Sequence, residues 1–196
     1  MGAGHAEQPA AVRVRELEER VIAAGLATDA DLDAVLARLY ANASPLNGAR
    51  IVARAWSDPG YAGRLLADGN AAAAELGFET THAGSGYRLK VVANTPGTHN
   101  VIVCTLCSCY PVSLLGPSPS WYKSLAYRSR AVREPRAVLA EFGLLLPECI
   151  EIVVWDASAE NRYLVLPARP AGTDGLGEED LAALVTRNGL IGTAAV

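Results

Sequence analysis

Long apolar runs are absent from this chain. The longest, such as the one around Leu144 to Leu146, fall far short of the roughly 18 to 20 residues that a membrane helix needs. No membrane span is expected. A secretory apolar core is missing as well: Met1 to Pro9 is small and polar, and the Ala/Val stretch after it is soon interrupted by Arg13, Arg15 and Glu16. The cytoplasm is the expected compartment. There is no concentrated basic face either. The formal net charge is −4, so nothing marks a nucleic-acid partner. Arg128, Arg130, Arg133 and Arg136 form the one basic cluster, and their spacing wraps them around a helix instead of along a stripe. A structural or interface role suits them better than phosphate binding, because arginine makes the strong bidentate pairs that such contacts use. Internal repeats and low-complexity tracts are also absent.

What remains is a globular composition, with 51% hydrophobic residues in a chain of 196, enough for one main core. From Val12 to Ala41 the apolar positions Val14, Leu17, Val21, Ile22, Leu26, Leu32, Val35, Leu36 and Leu39 recur at helical spacing. The pattern breaks near Gly25 and restarts at Thr28, a capping candidate before Asp29 and Asp31. Ser44 to Gly48 reads as a turn, and Ala49 to Leu76 as further helix interrupted at Asp58-Pro59-Gly60. After Gly84-Ser85-Gly86 the character changes. Tyr87 to Ala93 and Val101 to Val103 read as strands joined by a turn, and Glu151 to Trp155 and Tyr163 to Leu166 as two more. Prolines 111, 117 and 119 exclude a regular element before Trp121. Trp121 to Arg130, Pro135 to Phe142 and Glu178 to Asn188 then read as helices, ending at Gly143 and Gly189 in the last two cases. The expected fold class is α+β, with a helical N-terminal arm over residues 1–83 and a layered metal-binding catalytic domain over 84–196.

Three of the four cysteines lie close together, at Cys104, Cys107 and Cys109. In a reducing compartment such a cluster favours metal or redox chemistry over structural disulfides. Cys107 and Cys109 are too close for an unstrained disulfide but well placed to share one metal, with Cys104 reaching it through the intervening turn. If the amides of Ser108 and Cys109 lose their protons, their nitrogens and the sulfurs of Cys107 and Cys109 become planar donors, with Cys104 as a fifth ligand. Only a strongly Lewis-acidic, trivalent metal sustains such ionisation, and its sixth position is left for water or substrate. Other readings stay open on spacing alone. A structural zinc site would need a second ligand pair, whereas Cys149, His82 and His99 are scattered. A thioredoxin-like Cys104–Cys107 pair would be expected to open a helix, against which Pro111 argues. A buried structural thiol suits the lone Cys149 better than the cluster.

The segment Val101-Ile102-Val103-Cys104-Thr105-Leu106-Cys107-Ser108-Cys109-Tyr110 resembles the metal-binding signature of nitrile hydratase alpha subunits. Further blocks look like the same family and follow in order: Ser44 to Ala49, Ala55 to Pro59, Trp121 to Ser124, Val132 to Arg136, Trp155 to Tyr163 and Leu164 to Pro167. The resemblance implies sulfur ligands from Cys104, Cys107 and Cys109, and ionised backbone nitrogens from Ser108 and Cys109. It also implies oxidation of Cys107 to a sulfinic and Cys109 to a sulfenic acid, held by two arginines of a beta-like partner subunit. Thr105 and Tyr110 resemble the cobalt type, which implies non-corrin cobalt(III) rather than iron(III), loaded with the help of an accessory protein. Asp156 and Glu160, with Arg162 beside them, match acidic residues near the family's metal centre and are expected to orient the claw. Their alternative is a plain surface ion pair with Arg162.

The implied reaction is hydration of a small-molecule nitrile to an amide, with Cys109 and Ser108 at the reacting atoms. Its nucleophile is a sulfenate oxygen on Cys109 or an activated water. Two alternatives share the claw: a thiocyanate hydrolase subunit, and a noncatalytic metal-binding assembly protein. Two positions depart from the family. Val112 and Ser113 follow Tyr110-Pro111 where Trp and Pro are common, and Ser85 stands where many members have glutamine. Smaller side chains at Val112 and Ser85 are expected to enlarge a substrate pocket, as in members acting on cyano-substituted nucleosides such as toyocamycin.

Overall fold

The computed structural model describes residues 9–41, 43–80 and 86–196, and the chain divides into two compact units, Met1–Asn42 and Ala43–Val196. The first unit contains α1 (Ala10–Ala23) and α2 (Asp29–Ala41). Thr28 caps α2 as its sequence suggests: its hydroxyl oxygen accepts from the Asp31 amide at 3.2 Å, and the Asp31 carboxylate takes the Thr28 amide at 2.9 Å. Val14, Leu17, Val35 and Leu36 remain exposed.

The second unit begins with α3 (Pro45–Ser57), α4 (Pro59–Ala67) and α5 (Gly69–Glu75). Ser44 to Gly48 is not a free turn. Ser44 caps the Leu46 amide and Pro45 takes the first helical position, so turn-forming residues here start a helix. The Asp58 carboxylate accepts from the amides of Gly60 and Tyr61 and launches α4, and Asp68 does the same for α5 through Ala71. The helices α3 to α5 belong to the same compact unit as the strands. The reason is packing: α4 and α5 lie against β1 (Arg88–Ala93), and α3 lies against α9 (Glu178–Leu184). Ile51, Val52, Tyr61 and Leu65 are accordingly buried.

The remaining strands are β2 (Thr98–Val103), β3 (Glu151–Asp156) and β4 (Asn161–Leu166). The turn at Thr95 to Thr98 joins β1 to β2 without making them a ladder. β1 pairs in parallel with β4, and β2 in parallel with β3. Local sequence shows strands and turns, whereas partner choice here is set by contacts across more than fifty residues. Between β2 and β3 lie α6 (Val112–Leu115), a 3-10 turn at Ser120–Lys123, α7 (Leu125–Arg133) and α8 (Pro135–Glu141). The prolines thus allow one helical turn before Trp121, and Ser124 starts α7 later than expected by capping Tyr127. The C-terminal helix is also split, into α9 and α10 (Arg187–Ile191), because Thr186 caps Gly189. Gly192, not Gly189, ends it, at φ 89°. A side chain at Gly192 would collide with the Asn100 carbonyl. Its own carbonyl instead receives His99 Nε2–H at 2.7 Å, fastening the C-terminal segment to β2. Among the described residues no helix is long and apolar enough to cross a membrane.

Candidate metal centre

β2 is buried along Val101 to Val103 and delivers Cys104, fully buried, at its end. The chain then turns outward, so Leu106, Cys107 and Ser108 are exposed, before Cys109 returns to the interior at 9% exposure. The turn places Cys104 Sγ 3.5 Å from Cys107 Sγ, and Cys107 Sγ 3.2 Å from Cys109 Sγ. All three sulfurs lie within 4.8 Å of one another. The Cys107 amide donates to Cys104 Sγ at 3.3 Å and helps to close the claw.

The parallel register of β2 with β3 sets Val103 opposite Asp156. Asp156 therefore reaches Thr105, accepting from its amide at 2.9 Å and its hydroxyl at 2.6 Å. On the other flank Arg128 Nη2–H donates to the Thr105 carbonyl at 2.7 Å. Three buried tyrosines bond backbone carbonyls in and around the claw. Tyr122 donates its hydroxyl to the Cys109 carbonyl at 3.0 Å, Tyr127 to the Ile102 carbonyl at 2.6 Å, and Tyr110 to the Leu115 carbonyl at 3.4 Å. Burial raises the pKa of all three, so they stay neutral donors.

The thiols are driven apart in acidity. Hydrogen bonds from Cys109 and then Cys104 lower Cys107 to about 7. Burial, reinforced by Cys107, raises Cys109 to about 11, against the pull of the Arg162 guanidinium. Arg162 Nε and Nη1 are buried without a hydrogen-bond partner, and its guanidinium carbon lies 5.3 Å from the Tyr87 ring centroid. A guanidinium that acts on the Cys109 thiol and keeps two nitrogens without partners fits a site that becomes anionic when its thiols ionise. Soft sulfur donors select thiophilic metals, and the cluster offers them without a carboxylate or imidazole among its described members.

The competing readings lose ground here. His99 is buried against Gly192 and Asn94 and Cys149 lies outside the cluster, so neither completes a four-ligand zinc cage, and His82 lies outside the described residues. No helix begins at Cys104, since α6 starts only at Val112, which removes the thioredoxin-like arrangement. Cys149 is exposed, not a buried packing thiol, because it sits in the loop before β3.

The comparisons with known proteins agree with this geometry. The family described as nitrile hydratase, alpha chain, matches residues 8–194. The chain belongs to that family. It is 50% identical to the cobalt-containing nitrile hydratase alpha subunit of Pseudonocardia thermophila over 92% of this chain and 87% of that one. It is 50% identical to the thiocyanate hydrolase gamma subunit of Thiobacillus thioparus over 76% of this chain and 65% of that one. Among solved structures, a double mutant of the iron-type nitrile hydratase of Comamonas testosteroni Ni1 superposes with a TM-score of 0.87. It is 44% identical and covers 96% of this chain and 92% of that one.

In this nitrile hydratase alpha-type subunit, Cys104, Thr105, Cys107, Ser108, Cys109 and Asp156 come together, with Tyr110 buried below and Arg162 beside Cys109. Among the described residues Glu160 makes no hydrogen bond to the claw, and the Ser158 hydroxyl and, more weakly, the Arg162 charge lower its pKa. Its carboxylate accepts the Ser158 hydroxyl at 2.8 Å, and the surface ion pair with Arg162 is not formed among the described residues. Val112 is half-buried at the start of α6, and Ser85 lies outside the described residues. Sequence reasoning missed the claw contacts of Tyr122 and Arg128. Both sit in or beside family-like blocks, but only the fold of α7 against β2 shows what they touch.

Proposed function

We propose that the chain is the metal-bearing subunit of a cobalt-type nitrile hydratase, active with a beta-like partner in converting an organic nitrile to its amide. The convergence of three sulfurs within 4.8 Å carries the reading, and the cobalt-containing relatives favour cobalt(III) over iron(III). Cys104, Cys107 and Cys109 would supply sulfur, and Ser108 and Cys109 their backbone nitrogens. The chemistry that such a centre supplies is Lewis acidity, which polarises a nitrile or makes water a stronger acid. Asp156 and Arg128 hold the Thr105 backbone, and Tyr122 holds the Cys109 carbonyl, so the donor atoms are preorganised. Cys107, the most acidic of the perturbed thiols, is the first to present a thiolate for metal capture or oxidation. Sulfinic oxidation of Cys107 and sulfenic oxidation of Cys109, held by partner arginines, complete this reading, with loading assisted by an accessory protein. Small residues at Val112 and Ser85 favour a bulky heterocyclic nitrile.

A second reading is thiocyanate hydrolysis, favoured by the 50% identical thiocyanate hydrolase relative and by a thiocyanate hydrolase structure at TM-score 0.85. Product analysis of the cobalt-loaded complex separates the two. Amide from an organic nitrile supports the first, and carbonyl sulfide with ammonia from thiocyanate supports the second.

A further inference from the structure

Thr105 is held at all three of its polar atoms. Asp156, at the end of β3, takes the amide and hydroxyl hydrogens, and Arg128, in α7, donates to the carbonyl. The helix that delivers Arg128 is itself fixed to the strand feeding the claw. Ser124 caps the Tyr127 amide at 3.1 Å, and the Tyr127 hydroxyl bonds the Ile102 carbonyl in β2. Arg128 is thus a cation brought to the claw by a rigid support. A planar peptide whose carbonyl faces Arg128 turns the Leu106 amide away from it. That orientation belongs to the same turn that sets the Cys107 amide on Cys104 Sγ.

Arg128 has no counter-ion among the described residues. Its Nε is buried without a hydrogen-bond partner. Its neighbour Arg130, by contrast, is paired with Glu134 and Glu141, both at 2.6 Å. A half-buried guanidinium without a counter-ion is costly unless another charge offsets it. Three thiolates and two ionised amides outweigh a trivalent cation, so the filled claw is anionic. We propose that Arg128 is a positioning residue of the metal centre, one that orients the Thr105–Leu106 peptide and supplies positive charge to the filled claw. The inference rests on the reading that the claw holds a trivalent metal.

The test uses the complex expressed with its beta-like partner and cobalt, comparing wild type with Arg128→Gln and Arg128→Lys. Glutamine can still donate to the Thr105 carbonyl but is neutral, whereas lysine keeps a charged donor and needs to replace only one hydrogen bond. The readouts are cobalt per chain, the rate of cobalt loss to a chelator, and the sulfur-to-cobalt charge-transfer band. Arg128→Gln is expected to lose cobalt about 10- to 100-fold faster with a shifted band, the usual scale for losing an outer contact of a metal site. Arg128→Lys is expected to restore both towards wild type. Wild-type retention and band in Arg128→Gln would overturn the inference, as would equal damage from both variants. If Arg128→Gln does not fold, Arg128→Lys decides alone: a folded lysine variant that cannot hold cobalt overturns the charge role. Absence of cobalt from the wild-type complex would instead overturn the metal reading, and this inference with it.

Discussion

Asp156 and Thr105, 51 residues apart, are joined by two hydrogen bonds to the two carboxylate oxygens, at 2.9 and 2.6 Å. The parallel pairing of β2 with β3 makes the contact possible by bringing Asp156 level with Val103, two residues before Thr105. The loop on which the three sulfurs converge is thereby anchored at its first turn.

Asp156→Asn leaves one oxygen acceptor and turns an NH2 group towards a second donor. Because the contact is solvent-accessible, the expected loss is about 1 kcal/mol of stability. The effect on the claw should be larger, as faster cobalt release. Denaturant midpoints and metal retention on the same preparation test this. Unchanged metal retention would show that the Thr105 anchor does not organise the claw.

Replacing Cys104, Cys107 or Cys109 by alanine should remove the metal, since each supplies one of three converging sulfurs. Cys149→Ala should keep it, at a cost of at most about 0.5 kcal/mol for an exposed position. Metal analysis of the four variants separates the claw from the bystander thiol. Loss of cobalt from Cys149→Ala would contradict the ligand assignment.

Much of this was legible in the sequence. The claw was readable because three donors fall within one short segment, and the cap at Thr28 and the first-turn Pro135 of α8 were readable because they act locally. The misreadings arose where long-range contacts decide. Ser44 to Gly48 has turn composition but becomes the start of α3, and α3 to α5 join the core through partners far along the chain. Arg128 looked like one member of a basic cluster. The fold assigns its members separate tasks: Arg130 pairs with acids, Arg136 binds the carbonyls of Leu146, Pro147 and Ile150, and Arg128 reaches Thr105. Glu160, a family-matched residue, bonds Ser158 and feels the Arg162 charge, which again only the fold shows.

Val112→Trp tests the substrate-size proposal. Tryptophan occupies much more volume than valine, so at a pocket wall it should exclude a bulky heterocyclic nitrile while leaving room for a short aliphatic one. Activity towards the bulky substrate should fall much further, with cobalt content unchanged. Equal losses on both substrates, or none on either, would remove Val112 as a determinant.

Alkaline pH should destabilise the chain through its buried phenols. Burial raises Tyr61 to about 12 and holds Tyr110, Tyr122 and Tyr127 well above the ordinary tyrosine range. Above about pH 10 the unfolded state loses these protons while the folded state keeps them. Stability present below that pH therefore declines as pH rises. Phenolate absorbance of these residues should appear together with loss of the far-ultraviolet helix signal. Full phenolate absorbance in a folded chain at pH 10.5 would contradict the buried hydroxyl network.

The most direct test of the metal centre is metal analysis with intact-mass and peptide mapping on the complex expressed with its partner and cobalt. About one cobalt per chain is expected, with two added oxygens on Cys107 and one on Cys109, and Cys104 and Cys149 unmodified. Stoichiometric zinc in an active complex, with Cys104, Cys107 and Cys109 all unmodified, would contradict it.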